Sequence, residues 1–234
     1  MADGPPLSPL RRVQAEVLVV GASFAGCAAA IAAARRGARV ALIERKADPG
    51  AKLHTTGILV HEVQTQHALL AGIPPALVRP IDTVRLYAPN LREIVLRAPG
   101  YHFLATDTPA LMRWLVEQAG QAGVDVRLGC SYTSAQRQAG LWQVDGVGES
   151  RYLIGADGPQ SRVAHSLTLG RNQRFLYGVE HELTGVALPD PNALHCFITR
   201  AHAPGYIGWA LQGVSALQFG LAVPQAHAGS AAAR

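Results

Sequence analysis

The sequence predicts a mixed α/β fold, in which a parallel nucleotide-binding βαβ unit is interrupted and then followed by antiparallel strands. Three observations carry this expectation. An apolar run, Glu16-Val-Leu-Val-Val, leads into Gly21-Ala22-Ser23-Phe24-Ala25-Gly26 and an Ala-rich helix, and a second apolar run closes at Glu44-Arg45. Far downstream, Ile154-Gly155-Ala156-Asp157-Gly158-Pro159 forms a second strand-to-helix junction. From Phe175 onward the pattern reads as strands alone, at Tyr177 to Leu183, Leu194 to Thr199, Tyr206 to Leu211 and Leu217 to Val223.

Each part of the βαβ unit has a physical job. Gly21 permits the tight turn, and the small residue Ser23 lets the backbone N–H groups of the turn approach a pyrophosphate at the positive end of the helix. Gly26 lets the helix pack closely on the strand. Glu44, about 20 residues on, is placed to accept two hydrogen bonds from a ribose diol, and an acid there argues against a 2′-phosphate. An adenine dinucleotide is the expected ligand of Gly21 through Gly26, Glu44 and Arg45. Two competing readings are a Gly turn with no ligand and an export signal. The second is built from Arg11-Arg12, the apolar stretch from Val17 and a lipoprotein-like Phe24-Ala25-Gly26-Cys27. Glu16 and the fit of Arg39 to Glu44 as a strand oppose the export signal.

Composition narrows the function classes. The 234 residues, 49% hydrophobic, suffice for one large domain or two small ones with a sizeable core. The net charge of +5 comes from scattered arginines, and aromatics at 6% do not interleave with them, so no nucleic-acid partner is expected. Cys27, Cys130 and Cys196 are an odd, widely spaced set without C-x-x-C, which points to neither disulfides nor zinc and to a reducing cytoplasm. His61-Glu62 and His181-Glu182 lack the second His of H-E-x-x-H, so no metal is expected. The apolar run from Val17 to Ala34 is interrupted by Gly and Ser, and no integral membrane segment is expected.

Along the chain, residues 1–15 read as a Pro-rich flexible tail and Lys46 to Gly57 as a loop. A helix is expected from His61 to about Ala71. Ile81 to Ala88 and Glu93 to Arg97 alternate around Pro89-Asn90, a hairpin signal. Thr108 and Pro109 read as cap and first residue of a helix carrying Leu111 and Leu115 on its apolar face. Val124 to Leu128 reads as a buried strand. Leu141 to Val144 and Tyr152 to Gly155 follow, with Asp145-Gly146 as a turn. The expected domains are residues 16–79 with 100–170 for the nucleotide, and 80–99 with 171–234 as a separate sheet. At the second junction Asp157 caps the following helix, Gly158 supplies an unusual backbone angle and Pro159 starts the helix, a place able to hold a phosphate or ribityl group.

The two motifs together resemble the FAD-dependent oxidoreductases of the geranylgeranyl reductase and aromatic-ring hydroxylase (flavin monooxygenase) group, over about residues 16 to 223. In that group Gly-Ala-Asp-Gly-x-x-Ser-x-Val is a signature touching the flavin, here matched around Asp157 and Gly158. Thr55-Thr56-Gly57-Ile-Leu falls where the family has a loop along the flavin, and Tyr177-Gly-Val-Glu180 where the reductases begin their substrate sheet. Pro204-Gly205-Tyr206-Ile207-Gly208-Trp209, followed by Gly220-Leu-Ala-Val, looks like the P-x-x-Y-x-W segment of the reductases. The resemblance implies a Rossmann-like FAD-binding three-layer α/β domain with an antiparallel β substrate domain.

It further implies FAD as cofactor, NAD(P)H as an electron donor, a small apolar substrate, and Tyr206 and Trp209 as walls of its pocket. The expected activity is reduction of a double bond of an isoprenoid-like substrate by hydride from reduced flavin. Hydroxylation of an aromatic or polyketide substrate is the alternative. The flavin does the chemistry in both, so no acid or base is assigned as catalytic. Three departures stand out. Ser23 replaces the middle Gly, Thr108 stands where many relatives carry Arg, and no Gly-Asp motif occurs in a chain that stops at Arg234 where the family continues. The last departure gives a third expectation, a truncated, non-catalytic FAD-binding fragment with exposed apolar surface.

Overall fold

A computed structural model describes residues 12–53, 55 and 57–227. In chain order the strands and helices are β1 (Val13–Val20), α1 (Phe24–Ala34), β2 (Val40–Glu44), β3 (Ile58–Val60), α2 (His61–Gln66) and α3 (Ala68–Ala71). There follow β4 (Val78–Ile81), β5 (Thr83–Tyr87), β6 (Glu93–Arg97), β7 (Phe103–Thr106), α4 (Thr108–Gln121) and β8 (Asp125–Leu128). The chain continues through β9 (Ala135–Gln138), β10 (Leu141–Val144), β11 (Gly148–Gly155), α5 (Arg162–Ser166), β12 (Leu176–Leu183), β13 (Ala193–Phe197), β14 (Gly208–Gln212) and β15 (Leu217–Pro224).

Two compact units divide the described residues, one comprising residues 12–51 and 112–171 and the other lying within 52–111 and 172–227. In the first unit six strands run in the order β8-β2-β1-β11-β10-β9. The first four of that order pair in parallel, with Val17 opposite Val40 on one side and Tyr152 on the other. Strands β9, β10 and β11 close as an antiparallel meander. The near-continuous apolar residues of β1 and β2 reflect burial on both faces. Leu18, Val20, Ala41 and Ile43 form the core of this unit with Val13, Tyr132, Val144 and Val163.

The second unit holds a sheet ordered β12-β15-β14-β13-β5-β6 and a three-stranded sheet β3-β7-β4. All pairs are antiparallel except β5 with β13, which run parallel. Ile81, Ala105 and Leu211 form its described core cluster, with Ile58, Phe103 and Leu194 packed against them.

Several boundaries differ from the sequence expectations. Residues 13–15 belong to β1 rather than to a tail, because Gly148 to Ser150 give them partners. Residues 1–11 lie outside the described residues. The helix expected from His61 breaks at His67, whose backbone is extended (φ −116°, ψ 108°). Asp107, not Thr108, caps α4, since its Oδ1 accepts from Ala110 N–H at 3.1 Å and its carbonyl from Leu111 N–H at 2.8 Å. Strand β8 is half exposed rather than buried, because it ends the sheet. Residues 52–79 and 100–111 fall in the second unit, where Ala105 of β7 shares a core cluster with Leu211 of β14. The hairpin of β5 and β6 forms as its alternation predicts, with Thr83 opposite Arg97 and Tyr87 opposite Glu93.

Candidate functional site

In the first unit the residues singled out by sequence converge at the carboxyl ends of β1, β2 and β11. Gly21 N–H donates to Ile43 O at 2.8 Å and Ala156 N–H to Val20 O at 2.8 Å, tying the three strand ends together. Gly21 has φ +101°, and a Cβ there would collide with the Ala156 carbonyl. Gly26 lies so close under the turn that any Cβ would enter the Gly21 carbonyl oxygen. Helix α1 therefore starts directly on the turn, which is the close packing expected of this glycine.

The start of α1 carries no side-chain cap. Ser23 is its N-cap residue, but its side chain makes no capping hydrogen bond. The hydroxyl points instead at Met112 Sδ, 3.7 Å away. Ser23 and Ala25 are exposed, Phe24 is half-buried and Ala22 is buried. First-turn N–H groups that no side chain caps leave the positive end of the helix for an external acceptor.

Glu44, last in β2, is turned toward this helix start. Its Oε2 accepts from Ala22 N–H at 3.0 Å and its Oε1 from Lys46 N–H at 3.0 Å. Each carboxylate oxygen has a second lone-pair site, so the pair can still accept two hydroxyls. Arg45 beside it is exposed. The loop that follows is fixed by Lys46 Nζ on Ala51 O at 2.7 Å and by Asp48, which takes Gly50 N–H and the Arg113 guanidinium. Those bonds to Arg113 hold the Asp48 carboxyl below the usual carboxylate range. Cys27, on the next turn of α1, is fully buried, and burial, aided by the Glu44 charge, pushes its thiol up to about 12.

At the second junction the Asp157 carboxylate is committed to the chain itself. It takes Ser161 Oγ–H at 2.5 Å, Arg162 N–H at 2.6 Å and Val163 N–H at 3.2 Å. Ser161 is the N-cap of α5 and its hydroxyl accepts from Ala164 N–H at 2.9 Å. The helix thus starts at Arg162, not at Pro159, and Asp157 supports the cap from outside it. Gly158, at φ +92°, has nothing within 4 Å of the place a Cβ would take.

The remaining candidates lie in the second unit, and Thr56 lies outside the described residues. Gly57 is buried at φ +66°, and its carbonyl accepts from Thr106 N–H at 2.8 Å and Thr106 Oγ1–H at 3.1 Å. Thr108, the residue in place of a family Arg, spends its hydroxyl on a 2.8 Å buried bond to Thr106. Tyr206 is in the turn before β14 and 43% exposed, whereas Trp209 is 7% exposed. Counted from Pro204, the tyrosine place of P-x-x-Y-x-W is Ile207, so Tyr206 stands one residue early while Trp209 falls in register.

Sequence reasoning missed the partner of Trp209. Its indole Nε1–H donates to Glu180 Oε2 at 3.0 Å, and Gln218 Nε2–H donates to Glu182 Oε1 at 3.2 Å. Burial, with Glu182 adding to it, raises the Glu180 carboxyl above the usual range despite the bond from Trp209. The signal was two glutamates at i and i+2 on a strand, which places both on one face. Among the described residues no helix is long and apolar enough to cross a membrane.

Comparison with known proteins places the chain in a family. The family model described as FAD dependent oxidoreductase matches residues 16–156. The chain is 32% identical over 209 residues to digeranylgeranylglycerophospholipid reductase 2 of Methanopyrus kandleri, covering 83% of this chain and 50% of that protein. It is 27% identical over 234 residues to aklavinone 12-hydroxylase of Streptomyces peucetius, covering 86% of this chain and 45% of that protein. The fold matches the crystal structure of a geranylgeranyl bacteriochlorophyll reductase-like protein of Thermoplasma acidophilum, with TM-score 0.77 at 20% identity over 89% of this chain and 56% of that one. The chain spans about half the length of the curated relatives it matches. With residues 16–156, more than half of its length, inside the matched model, the chain belongs to the FAD dependent oxidoreductase family.

Proposed function

We propose that this chain binds FAD in its first unit and serves an oxidoreductase that reduces a double bond of an apolar, isoprenoid-like substrate. The carrying observation is the Glu44 carboxylate, held by Ala22 N–H beside a helix start that no side chain caps. The first turn of α1 would bind the pyrophosphate through Ser23, Phe24, Ala25 and Gly26, and Glu44 the ribose hydroxyls, with Arg45 at the rim. Ala156, Asp157 and Gly158 border the same strand ends, and Gly158 offers a backbone face free of side chains. Bound flavin would supply a hydride to an acceptor carbon. NAD(P)H is the donor that would recharge it.

The name of the Methanopyrus kandleri relative supports an isoprenoid chain as substrate. Hydroxylation is the second reading, and the Streptomyces peucetius hydroxylase supports it. A cytoplasmic location is in keeping with three free thiols at Cys27, Cys130 and Cys196.

Titration of apo-protein with FAD tests the site. Glu44→Ala should weaken binding by about 1–3 kcal/mol, the range for hydrogen bonds to a charged acceptor. An unchanged dissociation constant removes Glu44 as the ribose partner. Anaerobic reoxidation of the reduced flavin by geranylgeranyl diphosphate tests the reaction. If oxygen with a phenolic or polyketide acceptor is required instead, the hydroxylase reading replaces the reductase.

A further inference from the structure

A serine at the head of a helix ordinarily turns its oxygen back over the first turn, because the N–H groups there have no partner within the helix. Ser161 and Ser23 both head helices of the first unit, and they behave differently. Ser161 caps α5, its oxygen accepting Ala164 N–H at 2.9 Å. Ser23 heads α1 with extended backbone angles that suit a cap (φ −96°, ψ −168°), yet its side chain makes no capping hydrogen bond. Its hydroxyl donates instead to Met112 Sδ at 3.7 Å. We propose that Met112 is a positioning residue, which holds the Ser23 hydroxyl off the start of α1 and so keeps the first-turn N–H groups free for the pyrophosphate of the dinucleotide. The inference rests on the FAD reading above.

The partner of each serine decides where its oxygen goes. Ser161 gives its proton to Asp157 Oδ1 at 2.5 Å, while Asp157 Oδ2 takes Arg162 N–H and Val163 N–H. Asp157 thus binds the serine and the helix start together, and draws the hydroxyl over the first turn. The first turn of α1 contains no acid. Glu44, which reaches the same turn, gives Oε2 to Ala22 N–H and Oε1 to Lys46 N–H. The acceptor that Ser23 takes is therefore an uncharged thioether, which leaves the positive end of the helix uncompensated. A carboxylate in the place of Met112 would set a negative charge against the incoming phosphates.

Met112 is held where the contact needs it. It is only 1% exposed, and Leu115 and Ala119 further along α4 are fully buried. The next residue, Arg113, bonds Asp48 through Nε at 2.9 Å and Nη2 at 2.7 Å. Ser23 is exposed, so its χ1 is the soft torsion of the pair. Because the backbone already has the angles of a cap, one rotation about χ1 would carry the oxygen from Met112 to the N–H groups of Ala25 and Gly26, the second and third residues of the helix. Those are donors that the pyrophosphate would use. A capped Ser23 would compete with the ligand for them, and the ligand would bind more weakly by the worth of the cap.

The test uses the 234-residue chain. Met112→Leu nearly keeps the volume and removes the acceptor. Its affinity for FAD should fall by about 2- to 30-fold, the worth of one N-terminal cap converted at tenfold per 1.4 kcal/mol. In the apo-protein, hydrogen exchange at the amides of Ala25 and Gly26 should slow, the opposite of what a loss of packing would do. Met112 is the one methionine besides Met1, so incorporation of norleucine, which puts a methylene in place of the sulfur, should repeat both effects without a change of shape. In a Ser23→Ala background neither replacement should alter FAD affinity. An affinity equal to that of the wild type overturns this proposal alone. So does a loss that persists in the Ser23→Ala background, or one that comes without slower exchange at Ala25 and Gly26. A wild-type chain that takes up no FAD overturns the FAD reading and this proposal together.

Discussion

The charge of Glu44 acts in two directions at the residue scale. Its oxygens take Ala22 N–H and Lys46 N–H, and its charge also acts on the buried Cys27. Burial and that charge raise the thiol from an ordinary 9.0 to about 12. An acid whose pKa is higher in the folded chain contributes stability that is complete below its unfolded pKa and is lost as pH rises through the folded value. The Cys27 contribution is therefore full at neutral pH and fades between about 9 and about 12. The urea midpoint of the wild type should fall more steeply than that of Cys27→Ala when pH is raised from about 8 to about 10.5. Parallel curves for the two proteins would show that the thiol does not sense the fold. A protonated, buried thiol is also a poor nucleophile, so iodoacetamide should modify Cys27 only after unfolding.

Among the elements, α5 is short and depends on its cap. Asp157 takes Ser161 Oγ–H, Arg162 N–H and Val163 N–H, and Ser161 takes Ala164 N–H. Asp157→Ala should cost about 0.5–2 kcal/mol in chemical unfolding, the range for a lost N-terminal cap. Asp157→Asn, which keeps an acceptor, should recover part of it. A loss of FAD affinity without any loss of stability would instead make Asp157 a ligand residue.

The same elements show what the sequence made legible. The turn at Gly21, α1 and β2 were readable because strand period, glycine spacing and the closing acid are local signals. The β5–β6 hairpin was readable for the same reason. Where tertiary pairing decides, sequence reading failed. It took β8 for a buried strand because it cannot see which strand ends a sheet, and it ran one helix through His67. The Glu180 setting was invisible, because Glu180, Gly220 and Trp209 meet only when β12, β15 and β14 are in register.

At the scale of the whole molecule, apolar exposure and chain threading both matter. On one face of β12 and β15, Tyr177, Val179, Leu183 and Phe219 are each about 40% exposed, and Ile94, Val95 and Leu96 of β6 are also exposed. Contiguous apolar surface of more than a few hundred Å² is uncommon on soluble monomers. The isolated chain should therefore self-associate at micromolar concentration, and Val179→Lys should shift it toward monomer in size-exclusion chromatography with light scattering. A wild-type monomer that binds no hydrophobic dye would refute the patch. The threading has its own consequence. Val13 waits for Gly148 to pair, and Thr83 waits for Ala193, so the two units are interleaved along the chain rather than laid end to end. On the ribosome, β1 meets β2 and β5 meets β6 soon after they emerge, but each must wait more than 90 further residues for its second neighbour, β11 or β13. The open edges of nascent β1 and β5 are thus the backbone groups for which a chaperone has a long opportunity.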